Sequence, residues 1–100
     1  VWLCDAYNQR LHIFDNKVMP PSQVGSVELR DQPGWVTFSI DGQFAYPSTG
    51  EVVDVKSRKI VTLLLDEKGE PIQSEKLVEI RLDGKKAVKA GDQFGIGRAL

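Results

Sequence analysis

The amino-acid sequence predicts an all-β chain made of antiparallel meanders, and three observations support this fold class. Short apolar segments recur along the whole chain, and several alternate with polar residues at every second position. Two Asp-Gly pairs, Asp41-Gly42 and Asp83-Gly84, are typical hairpin turns. No window combines the period of a helix with helix-capping residues.

The individual strands follow from periodicity and from the turn residues between them. Val27 and Leu29 alternate with Glu28 and Arg30, so their strand has one solvated side. The segment Ile60–Leu65 is a continuous apolar run of the kind that predicts a fully buried strand. The predicted strands are Val1–Ala6, Leu11–Phe14, Val24–Leu29, Trp35–Ile40, Phe44–Pro47, Glu51–Val55, Ile60–Leu65, Leu77–Leu82 and Lys86–Ala90.

Composition excludes several classes of function. The chain has 100 residues, 41% apolar and 27% charged, which is typical of one ordinary globular domain. Its net charge of −1 provides no electrostatic basis for binding nucleic acid. No segment approaches the ~18 apolar residues of a membrane span, so we expect no membrane insertion. The single cysteine, Cys4, cannot form an intramolecular disulfide, and its apolar surroundings predict a small buried side chain.

The chain also resembles itself at a spacing of roughly 40 residues. The segment VWLCDA matches QFAYPS when Trp2 is placed on Phe44, and HIFDNK matches VVDVKS when Asp15 is placed on Asp54. A complete four-stranded meander is predicted between Trp35 and Leu65. Short strands and tight turns that repeat at this period are typical of β-propeller blades.

Two segments carry a resemblance to known repeat families. VWLCDAYNQRLHIFD resembles the second and third strands of an NHL-type propeller blade, and QPGWVTFSIDGQFAYPSTGEVVDVKSRKIVTLL resembles a blade of the YVTN family. The turn YPSTG departs from the Ala-Asn-rich turn of that family, and the long loop at residues 66–76 is atypical of it. The resemblance implies a β-propeller fragment of about two blades that belongs to the C-terminal portion of a larger ring. Residues 1–34 would form a partial blade (its second to fourth strands), residues 35–66 a complete blade, and residues 67–100 a loop plus C-terminal strands.

The resemblance implies a non-enzymatic scaffold that binds a protein, peptide or small ligand through its blade loops, without a cofactor. Other copies of the chain, or the missing blades, are the expected partners, because two blades alone leave apolar sheet faces uncovered. A periplasmic or secreted location is favoured by the resemblance. Two alternatives stay open. One is a propeller enzyme of lactonase or lyase type with its catalytic residues in missing blades, and the other is a structural or engineered fragment that self-assembles.

Four residues are candidates for ligand binding: Asp5, Tyr7, Asn8 and His12. The first three belong to a loop of the kind through which propellers bind ligands, and His12 is the single histidine. No catalytic or metal site can be assembled from His12 and Cys4 alone. The competing interpretation is structural: Asp5, like Asp15, accepts hydrogen bonds from turn amides, and His12 is a hydrogen-bonded strand residue.

Overall fold

The computed structural model describes residues 1–74, 77–91 and 97–99, and this part of the chain is all-β, without a helix. It contains three antiparallel sheets with strand orders β1-β2-β3, β4-β5-β6-β7 and β10-β9-β8, here called sheets 1, 2 and 3. The strands are β1 (Trp2–Asp5), β2 (Arg10–Asp15), β3 (Ser22–Glu28), β4 (Val36–Phe38), β5 (Phe44–Pro47), β6 (Glu51–Asp54), β7 (Lys59–Leu63), β8 (Glu79–Asp83), β9 (Lys86–Gly91) and β10 (Gly97–Ala99). The predicted all-β class with antiparallel strands is thereby confirmed.

Both Asp-Gly turns occur where the sequence predicts them. Gly42 has a φ of 73° and Gly84 a φ of 61°, values that glycine adopts without steric cost. In the first turn the Asp41 carboxylate accepts hydrogen bonds from the Gln43 amide at 3.0 Å and from the Ser39 hydroxyl at 2.7 Å. These bonds reverse the chain between β4 and β5.

Sheets 1 and 2 enclose the hydrophobic core of the described residues between them. The rings of Trp2 and Phe38 meet edge to face across this interface, with centroids 5.6 Å apart. Cys4 is half-buried against the core, and this burial raises the pKa of its thiol. The buried members of the core are Leu11, Ile13, Val27, Leu29, Ala45 and Val53, with Trp2, Cys4, Val36, Phe38 and Val55 packed against them.

A buried carboxylate, that of Glu51, forms hydrogen bonds with the linker that connects sheet 1 to sheet 2. Glu51, at the start of β6, is only 3% exposed. Its carboxylate accepts hydrogen bonds from the Arg30 amide at 3.0 Å and from the Thr49 hydroxyl. The Arg30 side chain in turn donates to the Thr49 carbonyl at 2.6 Å. Since a buried carboxylate needs hydrogen-bond donors, this arrangement holds the linker after β3 against the turn before β6.

The prediction that Ile60–Leu65 is fully buried is wrong. Ile60 is 45% exposed and Val61 is 53% exposed, because β7 forms the edge of sheet 2 and no described segment covers it. Ile80 and Leu82 of β8 are likewise 58% and 60% exposed, and burial does not alternate along this strand. Periodicity identified which residues share a face, whereas the burial of that face depends on its neighbours.

Sheet 3 meets sheet 2 where β8 begins and β9 ends. The Glu79 carboxylate accepts a hydrogen bond from the Ile40 amide. A Cβ atom added to Gly91 would lie 2.9 Å from Cγ1 of Ile40, so glycine permits this close approach. Strand β10 was not predicted, and residues 92–96 and 100 at the end of the chain lie outside the described residues.

Candidate ligand-binding site

Loops from sheets 1 and 2 gather at one end of the molecule, here called the cleft end. In an antiparallel meander every second connection lies at the same end, which places the β1–β2 turn, the linker after β3 and the β5–β6 turn together. Hydrogen bonds join these loops directly. The Leu29 amide donates to the Gln9 carbonyl at 2.8 Å, and the Gly34 amide donates to the Ser48 hydroxyl at 2.9 Å.

The Asp5 carboxylate organises the β1–β2 turn at this end. It accepts hydrogen bonds from the Asn8 amide at 3.1 Å, from the Asn8 side-chain nitrogen at 2.8 Å and from Nε2 of His12 at 2.8 Å. Asp15 likewise accepts a bond from the Lys17 amide at 2.9 Å. The prediction that both aspartates accept hydrogen bonds from turn amides is therefore confirmed.

His12 is held through both ring nitrogens. The Gln23 side-chain nitrogen lies 3.0 Å from Nδ1, and because an amide nitrogen can only donate, Nδ1 accepts this bond. Nε2 then carries the hydrogen that it donates to Asp5. The prediction of a hydrogen-bonded structural histidine is confirmed, and in this arrangement both nitrogens are already engaged within the sheet.

Three of the four candidate residues are therefore brought together, and one is not. Asp5, Asn8 and His12 form one network, whereas the Tyr7 side chain is 90% exposed at the tip of the turn. Sequence reasoning missed Gln23, which reaches His12 from β3. No local signal could have identified Gln23, because the contact arises from the pairing of β2 with β3.

The hydrogen bonds to Asp5 predict a measurable pH dependence. The Asn8 side chain, then His12 and the Asn8 amide, lower the pKa of the Asp5 carboxyl from 3.8 to about 2. A pKa depressed by folding stabilises the fold above the unfolded value, and this stabilisation is lost as pH falls from about 4 towards 2. We expect an NMR titration of the Asp5 carboxyl carbon to give the lowered pKa. Asn8→Ala should raise the pKa of Asp5, whereas Tyr7→Ala should leave it unchanged. An unchanged pKa of Asp5 in Asn8→Ala would contradict this account.

A ligand-sized cleft lies beside this network. It begins at Ala6, directly after Asp5, and has a volume of about 410 Å³, within the range of ligand pockets. Its walls are held in place by the bond from the Ser74 amide to the Ser48 carbonyl at 2.9 Å and by the bond from the Gln73 side chain to Asp31 at 3.1 Å. The residues that line the cleft are Ala6, Gln32, Pro33, Gly34, Ser48, Gln73 and Ser74.

None of the described residues that line the cleft carries a charged side chain. Its lining contains amide and hydroxyl side chains and backbone groups, with the Asp31 carboxylate close by through its bond to Gln73. Such a surface suits hydrogen bonds to uncharged polar groups rather than to a strongly charged ligand. A second concavity, between Thr37, Tyr46 and Ile72, has a volume of about 30 Å³, which is the size of a site for water and not for a ligand.

The residues that the structure describes contain neither a cluster of metal ligands nor a membrane-spanning helix. These residues contain no group of three or more His, Cys, Asp or Glu side chains placed to hold a metal ion. Within residues 1–74, 77–91 and 97–99 there is also no helix long and apolar enough to cross a membrane.

Comparison with known proteins supports the fold but does not indicate a function. No family model matches the chain, and no curated protein matches it. The chain is similar to the crystal structure of a functionally unknown protein from Desulfotomaculum acetoxidans DSM 771, with a TM-score of 0.61 and 18% sequence identity. The match covers 89% of this chain and 28% of that one, so the chain spans less than a third of the length of its structural relative. At this identity the likeness concerns the fold alone.

Proposed function

We propose that the chain is part of a non-enzymatic β-propeller scaffold that binds a protein, peptide or small ligand through the loops at its cleft end. Successive antiparallel meanders, two of them packed face to face, support a propeller arrangement. The resemblance of VWLCDAYNQRLHIFD to an NHL-type blade supports it as well. The observation that carries the binding proposal is the cleft of about 410 Å³, which is assembled from three loops of the two packed sheets and from the segment after β7.

The chemistry of the cleft favours an extended peptide among these ligands. Gln32 and Gln73 carry both donors and acceptors, as a peptide backbone does, so the two can pair in either direction. Pro33, which is almost completely buried, and Gly34 form a rigid floor without long side chains. The described residues that line the cleft include no cationic side chain to pair with an anionic ligand, which favours an uncharged one.

The proposal also assigns partners to the uncovered apolar surfaces. Val1 and Leu3 on sheet 1 are 56% and 51% exposed, and Val78, Ile80 and Leu82 on or beside sheet 3 are all more than half exposed. Further blades, or other copies of the chain, would bury these side chains. Sedimentation of the chain tests this part of the proposal, since a folded monomer at high concentration would contradict it.

A bulky substitution inside the cleft tests the binding proposal. A library of random 12-residue peptides displayed on phage would be panned against the chain. We expect enriched clones to bind the unchanged protein and to lose at least about tenfold in affinity for Ala6→Trp, because the indole fills the cleft. Asn16→Trp, which places the same side chain in the β2–β3 loop at the opposite end, should bind as the unchanged protein does.

Either of two outcomes would reject binding at the cleft. One is the failure of any clone to enrich above an unrelated β-protein of similar size. The other is enrichment of clones whose affinity is the same for Ala6→Trp and for Asn16→Trp. Circular dichroism spectra of both variants that match the spectrum of the unchanged protein would show that the comparison concerns binding and not folding.

A further inference from the structure

Thr37 lies in the middle of β4, and its side chain is turned away from the core between sheets 1 and 2. Its partner across the strand pair is Tyr46, whereas Phe38 lies opposite Ala45 on the core side. Because side chains alternate between the two faces of a strand, Thr37 and Tyr46 share the face of sheet 2 that points away from sheet 1. Thr37 is nevertheless only 2% exposed.

The Thr37 hydroxyl is buried without a bonding partner among the described residues. No donor or acceptor of these residues lies within hydrogen-bond distance of Thr37 Oγ1. The other buried polar side chains that the structure describes all form hydrogen bonds, Ser39 with Asp41 and Thr49 with Glu51. Since burial of an unpaired hydroxyl costs free energy, a buried hydroxyl is expected to bond either to protein or to ordered water.

The second concavity lies against this hydroxyl. It is lined by Thr37 and Tyr46 from sheet 2 and by Leu64 and Ile72 from the segment that follows β7. The Ile72 amide donates to the Leu64 carbonyl at 2.9 Å, which holds this segment in place. The volume of about 30 Å³ is sufficient for a water molecule.

Two further polar groups belong to the lining of the concavity. The Ser48 hydroxyl accepts a hydrogen bond from the Gly34 amide at 2.9 Å and can donate its own hydrogen. The Ile72 carbonyl oxygen lies beside Gly50, and a carbonyl oxygen can accept two hydrogen bonds. A buried water typically forms about three hydrogen bonds, so Thr37, Ser48 and Ile72 together provide the partners that it needs.

We infer that an ordered water molecule occupies the second concavity and bonds to the Thr37 hydroxyl, with the Ser48 hydroxyl and the Ile72 carbonyl as its other partners. This water joins sheet 2 to the segment after β7. Gln73 follows Ile72 directly and lines the cleft, so the same water supports one wall of the cleft. The water site does not depend on whether the cleft binds a peptide.

Thr37→Val tests the site, because it removes the hydroxyl and nearly keeps the volume of the side chain. We expect the urea midpoint of unfolding to fall by about 0.5 M or more, since the hydrogen bond to the water is lost. A hydroxyl with no partner at all would give the opposite sign, because its removal relieves a desolvation cost and raises the midpoint.

Thr62→Val is the matched control. Thr62 is also a strand threonine, but it is exposed on β7. Its substitution should change the urea midpoint by less than about 0.2 M. Circular dichroism spectra of both variants that match the spectrum of the unchanged protein would show that the two midpoints describe the same fold.

A crystal structure of the unchanged protein detects the water directly. We expect a peak of solvent electron density within about 3.2 Å of Thr37 Oγ1. Two outcomes would overturn the inference. One is a urea midpoint for Thr37→Val that equals or exceeds the midpoint of the unchanged protein. The other is a well-defined Thr37 side chain without such a peak, and this outcome is decisive even if Thr37→Val fails to fold.

Discussion

Gly50→Ala is expected to lower the free energy of unfolding by about 3 kcal/mol or more. Gly50 has a φ of 99°, a conformation that costs energy for any residue with a Cβ atom. A Cβ atom at this position would also lie 2.5 Å from the Ile72 carbonyl oxygen. That oxygen belongs to the backbone of the segment that packs over the β5–β6 turn, so the clash can be relieved only by moving a whole chain segment.

The matched control is Gly69→Ala. Gly69 has a φ of 80°, but no atom lies within 4 Å of an added Cβ, so only the conformational cost of about 1 kcal/mol is expected. Urea unfolding followed by tryptophan fluorescence would measure both variants. Equal destabilisation by the two substitutions would show that the contact between Gly50 and Ile72 does not constrain the fold.

Leu11→Ala is expected to lower the free energy of unfolding by about 3 to 4 kcal/mol. Leu11 has no exposed surface and lies in β2, between Cys4 of β1 and Val27 of β3. It belongs to the core between sheets 1 and 2, where the removal of three carbon atoms leaves a cavity that the flanking strands cannot fill without losing their register. A loss of this size is a substantial part of the ~5 to 15 kcal/mol by which a typical domain is stable.

Leu82→Ala is the matched control, because Leu82 is also a strand leucine but is 60% exposed. Its substitution should cost less than about 1 kcal/mol. Urea denaturation of the two variants side by side gives the comparison. If Leu82→Ala proved as destabilising as Leu11→Ala, sheet 3 would have to be buried in solution against a partner. If Leu11→Ala were nearly neutral, the core between sheets 1 and 2 would be wrongly placed.

Part of the candidate site was predictable from local sequence. Asp5 stands between an apolar strand and the polar turn Tyr7-Asn8, and a short carboxylate in that position commonly accepts hydrogen bonds from the following amides. His12 could be assigned a structural role because its strand is otherwise apolar. The bond between His12 and Asp5 was not predictable, since it requires β1 and β2 to pair in one register out of several.

The cleft residues were beyond prediction for a related reason. Ala6, Gln32, Ser48 and Gln73 lie in four loops that are far apart along the chain, and each loop alone looks like an ordinary polar connection. Only the antiparallel order of the strands places these loops at one end.

The sequence by itself determined the all-β class, the order of the strands and the Asp-Gly turns, because alternation and turn chemistry are local properties of the chain. Tertiary structure alone decided which apolar faces are buried. Leu11 and Ile60 are both apolar strand residues, yet Leu11 is enclosed between two sheets and Ile60 lies on an uncovered edge strand. The physical reason is that an apolar side chain is stabilised by burial from water, whereas the segments that bury it are distant in sequence.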